Sequence, residues 1–161
     1  MIGVDLKGIW HTGSGDQISI SAIMSEIEEY IADGGKIFIG TDSQLRSTEC
    51  VFVTAICLHG NLRKKYASYF FKKTVEKNPS DKILRERIMR EVKRSVDICM
   101  FLLEKHPDAD IEVHVDIGKN NKSATRFFVD SVRGWVRGTG VACKIKPNSW
   151  ASSSIADHHT K

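Results

Sequence analysis

The stretch Lys36-Ile37-Phe38-Ile39-Gly40-Thr41-Asp42-Ser43-Gln44 constrains the fold more than any other part of the chain. It is a short apolar run, led in by Asp33-Gly34-Gly35, that stops at Gly-Thr and then places an acid. Such a run reads as a buried β-strand over residues 36–41. Open α/β sheets bind ligands in the crevice beyond the carboxyl ends of their strands. Asp42 is therefore the first catalytic candidate. Taken alone, it also reads as a turn residue capping Ser43-Gln44, so other acids have to support it.

The rest of the chain arranges itself around that strand. Residues 1–17 are rich in Gly and polar side chains and form an extended lead-in that packs by Trp10. A first helix follows, capped by Ser19 or Ser21, with Ile20, Ile23, Met24, Ile27 and Ile31 on one face and a stop at Asp33-Gly34-Gly35. After strand 36–41 come candidate strands at 50–58 and 65–73, separated by the turn signal His59-Gly60-Asn61. Connections this short require an antiparallel meander. Asn78-Pro79-Ser80-Asp81 opens a long helix from 82 to about 106, stopped by Pro107. Leu84, Ile88, Val92, Cys99 and Leu102 mark its buried face, with Glu91 and Ser95 beside it and Glu86 nearly opposite. A fourth strand, 110–115, ends at Asp116. A helix over 122–137, a fifth strand over 141–146 and a last helical segment from Trp150, carrying Asp157, complete the chain. Strands one, four and five, joined by helical crossovers, must be parallel with right-handed connections. The expected fold is α/β: a mixed five-stranded sheet, a three-strand antiparallel meander plus two parallel strands, flanked by helices in one domain over residues 1–161.

Asp42 and Asp116 each follow a strand. On neighbouring strands they lie about 4.8 Å apart. Two carboxylates that close repel, and one takes up a proton unless a cation sits between them. Oxygen-only ligation suits Mg²⁺ or Mn²⁺. Glu91, from the long helix, and Asp157, from the last segment, would complete a four-acid cluster able to hold two ions. Two ions about 3.5–4 Å apart clamp the attacking and leaving oxygens of a phosphodiester.

This order of elements, with an acid at each of these places, looks like the ribonuclease H fold. More closely, the chain is similar to a bacterial family of small RNase H-like proteins, the YkuK type. The residues that carry the resemblance run from about residue 20 to the end. They are Ile39-Gly40-Thr41-Asp42-Ser43-Gln44, Arg85-Glu86-Arg87 with Glu91 and Ser95, and Val113-His114-Val115-Asp116-Ile117. Lys122-Ser123, Gly134-Trp135-Val136, Lys146-Pro147 and Trp150-Ala151 through Ala156-Asp157 complete them. The resemblance implies a metal-dependent nuclease site of Asp42, Glu91, Asp116 and Asp157. It is an analogy of fold, since activity in that family is itself inferred from fold. The chain ends at Lys161, soon after Asp157, so its last helix is short.

A formal net charge of +4 over 161 residues is compatible with a polyanionic partner: RNA, DNA or a hybrid. Arg87, Arg90 and Arg94 form one basic helix stripe, and Arg126, Arg133 and Arg137 another. Either stripe can neutralise phosphates or simply face solvent. Arg87, one turn before Glu91, is the preferred contact. Lys119, Asn120, Asn121 and Lys122 open a helix after Asp116, a place suited to a phosphate. Trp150 can stack on a base or dock in the core. His114 reads as a packed or hydrogen-bonded sheet residue. His158 and His159 either shuttle a proton or ligate a metal, or they belong to a ragged polar end. Cys50, Cys57, Cys99 and Cys143 are scattered, without a Cys-x-x-Cys pair; Cys57, Cys99 and Cys143 sit inside apolar patterns and read as reduced core residues of a cytoplasmic protein. No stretch is long and apolar enough to span a membrane, and no signal segment is recognised. The competing expectations are a non-catalytic RNase H-like module that binds nucleic acid or protein, and an actin-like ATPase. The latter needs glycine-rich phosphate loops that are absent here.

Overall fold

Ser19 ends the extended lead-in by capping the first helix: its hydroxyl accepts the backbone N–H of Ala22 at 3.1 Å. In the computed structural model, which describes residues 6–60, 67–77, 84–117, 123–145 and 148–160 without the side chains of 67, 84, 123–127, 152 and 153, helix α1 spans Ile20–Ala32. Its buried face is Ile23, Ile27 and Tyr30, while Ile20 is exposed. The exit from α1 is steric. Gly34 has φ 75°, and a Cβ on Gly35 would stand 2.7 Å from the His59 carbonyl oxygen and 3.0 Å from that of Tyr30. Gly35→Ala is expected to cost roughly 2–3 kcal/mol in chemical denaturation, because backbone on two elements has to give way.

Seven strands form one sheet, not the five expected. They are β1 (Trp10–Thr12), β2 (Gln17–Ile18), β3 (Lys36–Leu45), β4 (Glu49–His59), β5 (Ala67–Lys77), β6 (Asp110–Val115) and β7 (Ala142–Ile145), in the order β2-β1-β5-β4-β3-β6-β7. The two extra strands come from the lead-in. Trp10 is fully buried, donates from Nε1 to the Leu6 carbonyl at 3.0 Å, and sits on β1, which pairs antiparallel with β5. The anticipated meander β3-β4-β5 is antiparallel, and β3-β6-β7 are parallel. Helix α2 spans Leu84–Lys105 and α3 spans Ser123–Gly138. The main core joins α1, α2 and α3 to one face of the sheet, through side chains such as Ile27, Val96, Cys99, Val132, Ile37, Ile39, Ile56 and Val113.

A second, smaller core lies on the opposite face. There Val51, Val53, Ala55 and Cys57 of β4 are covered by Ala151 and Ala156 of the C-terminal segment. That segment is a π-helical turn, Ala151–Ala156, followed by α4 (Asp157–Thr160). Among the described residues, no helix is long and apolar enough to cross a membrane. All four cysteines are free and buried.

Candidate active site

Strand β3 runs four residues further than expected, so Asp42 lies within it, opposite Val53 of β4, not beyond its end. The polar residues Ser43 and Gln44 stay in register because β4 offers Phe52 and Val51 as partners. On the other side, the pairing of β3 with β6 stops at Gly40 opposite His114. Asp42 therefore sits just past the point where pairing with the parallel neighbour ends. Asp116 follows β6 directly.

The period-two alternation of β3 divides its residues between the two faces. Thr41 and Ser43 turn towards α2. Thr41 Oγ1 is 2.7 Å from Ser95 Oγ and 3.0 Å from Thr54 Oγ1, a buried hydroxyl chain that joins β3, β4 and α2. Ser43 Oγ donates to Glu91 Oε2 at 2.5 Å. Asp42, between them, turns towards the C-terminal segment and is hydrogen-bonded to Asp157. Asp42 is 7% exposed and Glu91 5%, whereas Glu86 is exposed and Asp116 and Asp157 are half-buried.

Burial pushes the Asp42 carboxyl up from 3.8 to about 8, with Glu91, the hydrogen bond to Asp157, and the charges of Asp116 and Asp157 adding to the rise. A hydrogen bond between two carboxyls needs one proton, and Asp42 keeps it. Glu91 is raised from 4.5 to about 7, mainly by burial, with the Asp116 charge adding to it. The Ser43 hydroxyl, the Arg87 charge and the Ser43 backbone hold it back. Ser43→Ala is thus expected to move the Glu91 titration upward, read from its side-chain carbon shift against pH. No change would mean that Ser43 does not govern this carboxylate.

Asp42 therefore feels Glu91, Asp116 and Asp157, and Glu91 feels Asp116. Their donors are oxygen only, the kind Mg²⁺ and Mn²⁺ prefer. The proton that Asp42 keeps beside Asp157 marks a place where positive charge is favourable. The fit is in kind and in sign, and closest at that pair. Among the described residues no three His, Cys, Asp or Glu side chains stand close enough together to hold a metal ion as placed. Glu91 is held back on Ser43.

The basic stripes divide. Arg90 and Arg94 both pair with Glu76 of β5 and lie over the Phe52 ring, at 5.0 and 4.6 Å from its centroid, so they brace α2 against the sheet. Arg87 stays at the site: its Nη1 is 3.4 Å from Ser43 Oγ, and its Nε is buried with no hydrogen-bond partner among the described residues. Lys119, Asn120 and Lys122 lie outside the described residues. Arg126 falls on α3, and its side chain is likewise outside them. Trp150 is 38% exposed, with its ring 4.8 Å from that of Phe38, so it is neither free nor fully docked.

Ser43, Thr41, Thr54 and Ser95 organise this corner and were not singled out as site residues from sequence. The only available signal was alternation: residues flanking an inward acid on a strand must face the opposite layer. Hydroxyls in that position carry no distinctive pattern.

A family model described as Ribonuclease H-like matches residues 19–161. The chain belongs to the ribonuclease H-like family. It is also 27% identical, over 164 residues, to the uncharacterized protein YkuK of Bacillus subtilis (strain 168), covering 90% of this chain and 92% of that protein. No solved structure matches it. This RNase H-like membership agrees with the mixed sheet and its helix-flanked faces, and with the likeness to the YkuK type read from sequence.

Proposed function

We propose that the protein is a divalent-metal-dependent nuclease that hydrolyses phosphodiester bonds in nucleic acid. The observation that carries this reading is a carboxyl, Asp42, buried beside Glu91, Asp157 and Asp116, so that burial first and those charges second leave it protonated near neutral pH. A buried carboxyl is costly, and one set among like charges suits a site for positive charge. Asp42, Asp116, Asp157 and Glu91 would hold two Mg²⁺ or Mn²⁺ ions. When bound, such ions activate water and neutralise charge on the scissile phosphate. The chain's own residues supply the rest. Thr41, Thr54 and Ser95 lock the strand bearing Asp42 to α2. Ser43 holds Glu91 in one orientation. Arg87 offers a cation beside these acids for a substrate phosphate. Lys119, Asn120, Lys122 and Arg126 extend the same role after Asp116.

The test is cleavage of labelled RNA, DNA and hybrid duplexes with Mg²⁺ or Mn²⁺, by the wild-type chain and by alanine variants at Asp42 and Asp116. The reading expects activity that needs the metal and both acids. Unchanged cleavage by either variant would end it.

A second reading is a non-catalytic RNase H-like module that binds nucleic acid or protein. The absence of a ready three-ligand cluster among the described residues favours it. It expects salt-sensitive binding that survives loss of the acids.

A further inference from the structure

Asp157 sits on a segment with no strand and only a four-residue α-helix. Packing of a long helix cannot fix its position. Side chains on the sheet do so from both ends. At the N-terminal end, the Ala151 backbone N–H donates to His114 Nδ1 at 3.1 Å. A backbone N–H can only donate, so Nδ1 is bare and the ring proton is on Nε2, which stands 3.2 Å from Glu112 Oε2. His114 is 1% exposed, with the Phe38 and Trp150 rings at 5.2 and 5.4 Å. At the C-terminal end, the His159 ring lies on Phe71 at 3.8 Å and 10°, and its Nε2 is 2.9 Å from the Tyr69 hydroxyl. Arg46 Nη2 then donates to the Thr160 carbonyl at 3.2 Å. Between these anchors runs the π-helical turn, a backbone form that is rare and recurs at functional sites.

We propose that His114 and His159 are positioning residues that clamp the C-terminal segment at both ends and so hold Asp157 against Asp42. His114 stands on β6, two residues before Asp116, which follows that strand directly. One strand thereby leads into one acid and sets the place of another. The clamp deepens the nuclease reading and rests on it for its purpose, though not for its geometry.

Two substitutions separate a clamp from a core filler. His114→Asn keeps an acceptor oxygen near the place of Nδ1. His114→Phe keeps a ring but removes the acceptor. Hydrogen exchange read by mass spectrometry and Mn²⁺ affinity read by titration calorimetry are the two measurements. His114→Phe is expected to raise exchange over 151–160 by about tenfold, with β3 and β4 unchanged, the scale of one lost net hydrogen bond. Its Mn²⁺ affinity is expected to fall about 10–100-fold, as for other residues that orient ligands, while His114→Asn stays near wild type. Equal protection in His114→Phe and wild type overturns the clamp. So does loosening spread over β3 and β4, or an Asn variant that behaves like Phe. Should the Phe variant not fold, His159→Ala decides: raised exchange confined to 151–160 supports the clamp, and unchanged exchange overturns it. A wild-type chain that binds no Mn²⁺ defeats the nuclease reading alone, and the exchange data then settle the clamp.

Discussion

Asn in place of Asp42 is expected to remove metal-dependent cleavage and, at the same time, to raise the melting temperature. The Asp42 carboxyl titrates at about 8 in the folded chain against 3.8 for an ordinary one. Between those values the folded chain keeps a proton that the unfolded chain has released. Folding stability therefore falls as pH climbs through that window. Asn has nearly the same shape, carries no titrating proton, and can donate from its amide to Asp157. Its advantage is small near pH 4 and grows towards pH 8. Allowing for solvent screening, a gain of about 2 kcal/mol at pH 8 corresponds to roughly 4–8 °C in a chain of this length. Cleavage is expected to drop by at least about 10²–10³-fold. Thermal melts at pH 4, 6 and 8 beside a cleavage assay check both halves. A variant less stable than wild type at pH 8 would show that Asp42 is not under the electrostatic load assigned to it.

The second large effect concerns Mn²⁺ and protons. Near pH 7, Asp42 is held protonated and Glu91, at about 7, is close to half protonated. A cation that binds carboxylates has to displace those protons. Mn²⁺ binding at pH 7 is expected to release between about one and two protons, measured by calorimetry in buffers of different ionisation enthalpy. Affinity should climb steeply from pH 6 to pH 8 and then level, since each proton displaced below its titration point costs about tenfold per pH unit. The bound ion should also raise the melting temperature, by about 2.7 kcal/mol of added stability at a hundredfold excess over Kd. Binding without proton release, or with an affinity flat from pH 6 to 8, would mean that the ion goes elsewhere.

Much of the fold was legible because the signals were strong and local. The runs around Ile37, Val53 and Phe70 are separated by connections too short for anything but antiparallel pairing, and the crossover helices force β6 and β7 to be parallel. Ser19 and Gly34 mark both ends of α1 by their own chemistry. What escaped lacked periodicity. Strands β1 and β2 have three and two residues, too few to alternate visibly, and are held by a buried Trp10. The extension of β3 past Thr41 depends on partners in β4, a tertiary effect that overrides the polar look of Ser43-Gln44. Of the corner itself, the inward aspect of Glu91 followed from helical period. The hold of Ser43 on that acid did not, because a serine next to an aspartate carries no pattern of its own. The anchoring of the C-terminal segment by His114 and His159 depends on contacts across 37 and 90 residues. No window of sequence contains them.

The most direct test is a crystal of the wild-type chain grown at about pH 8 with Mn²⁺ and searched for anomalous density. Peaks touching carboxylate oxygens of both Asp42 and Asp116, and missing from crystals of the Asp42→Asn variant, are the expected result. An empty corner, or the same peaks with Asn at position 42, would contradict the account.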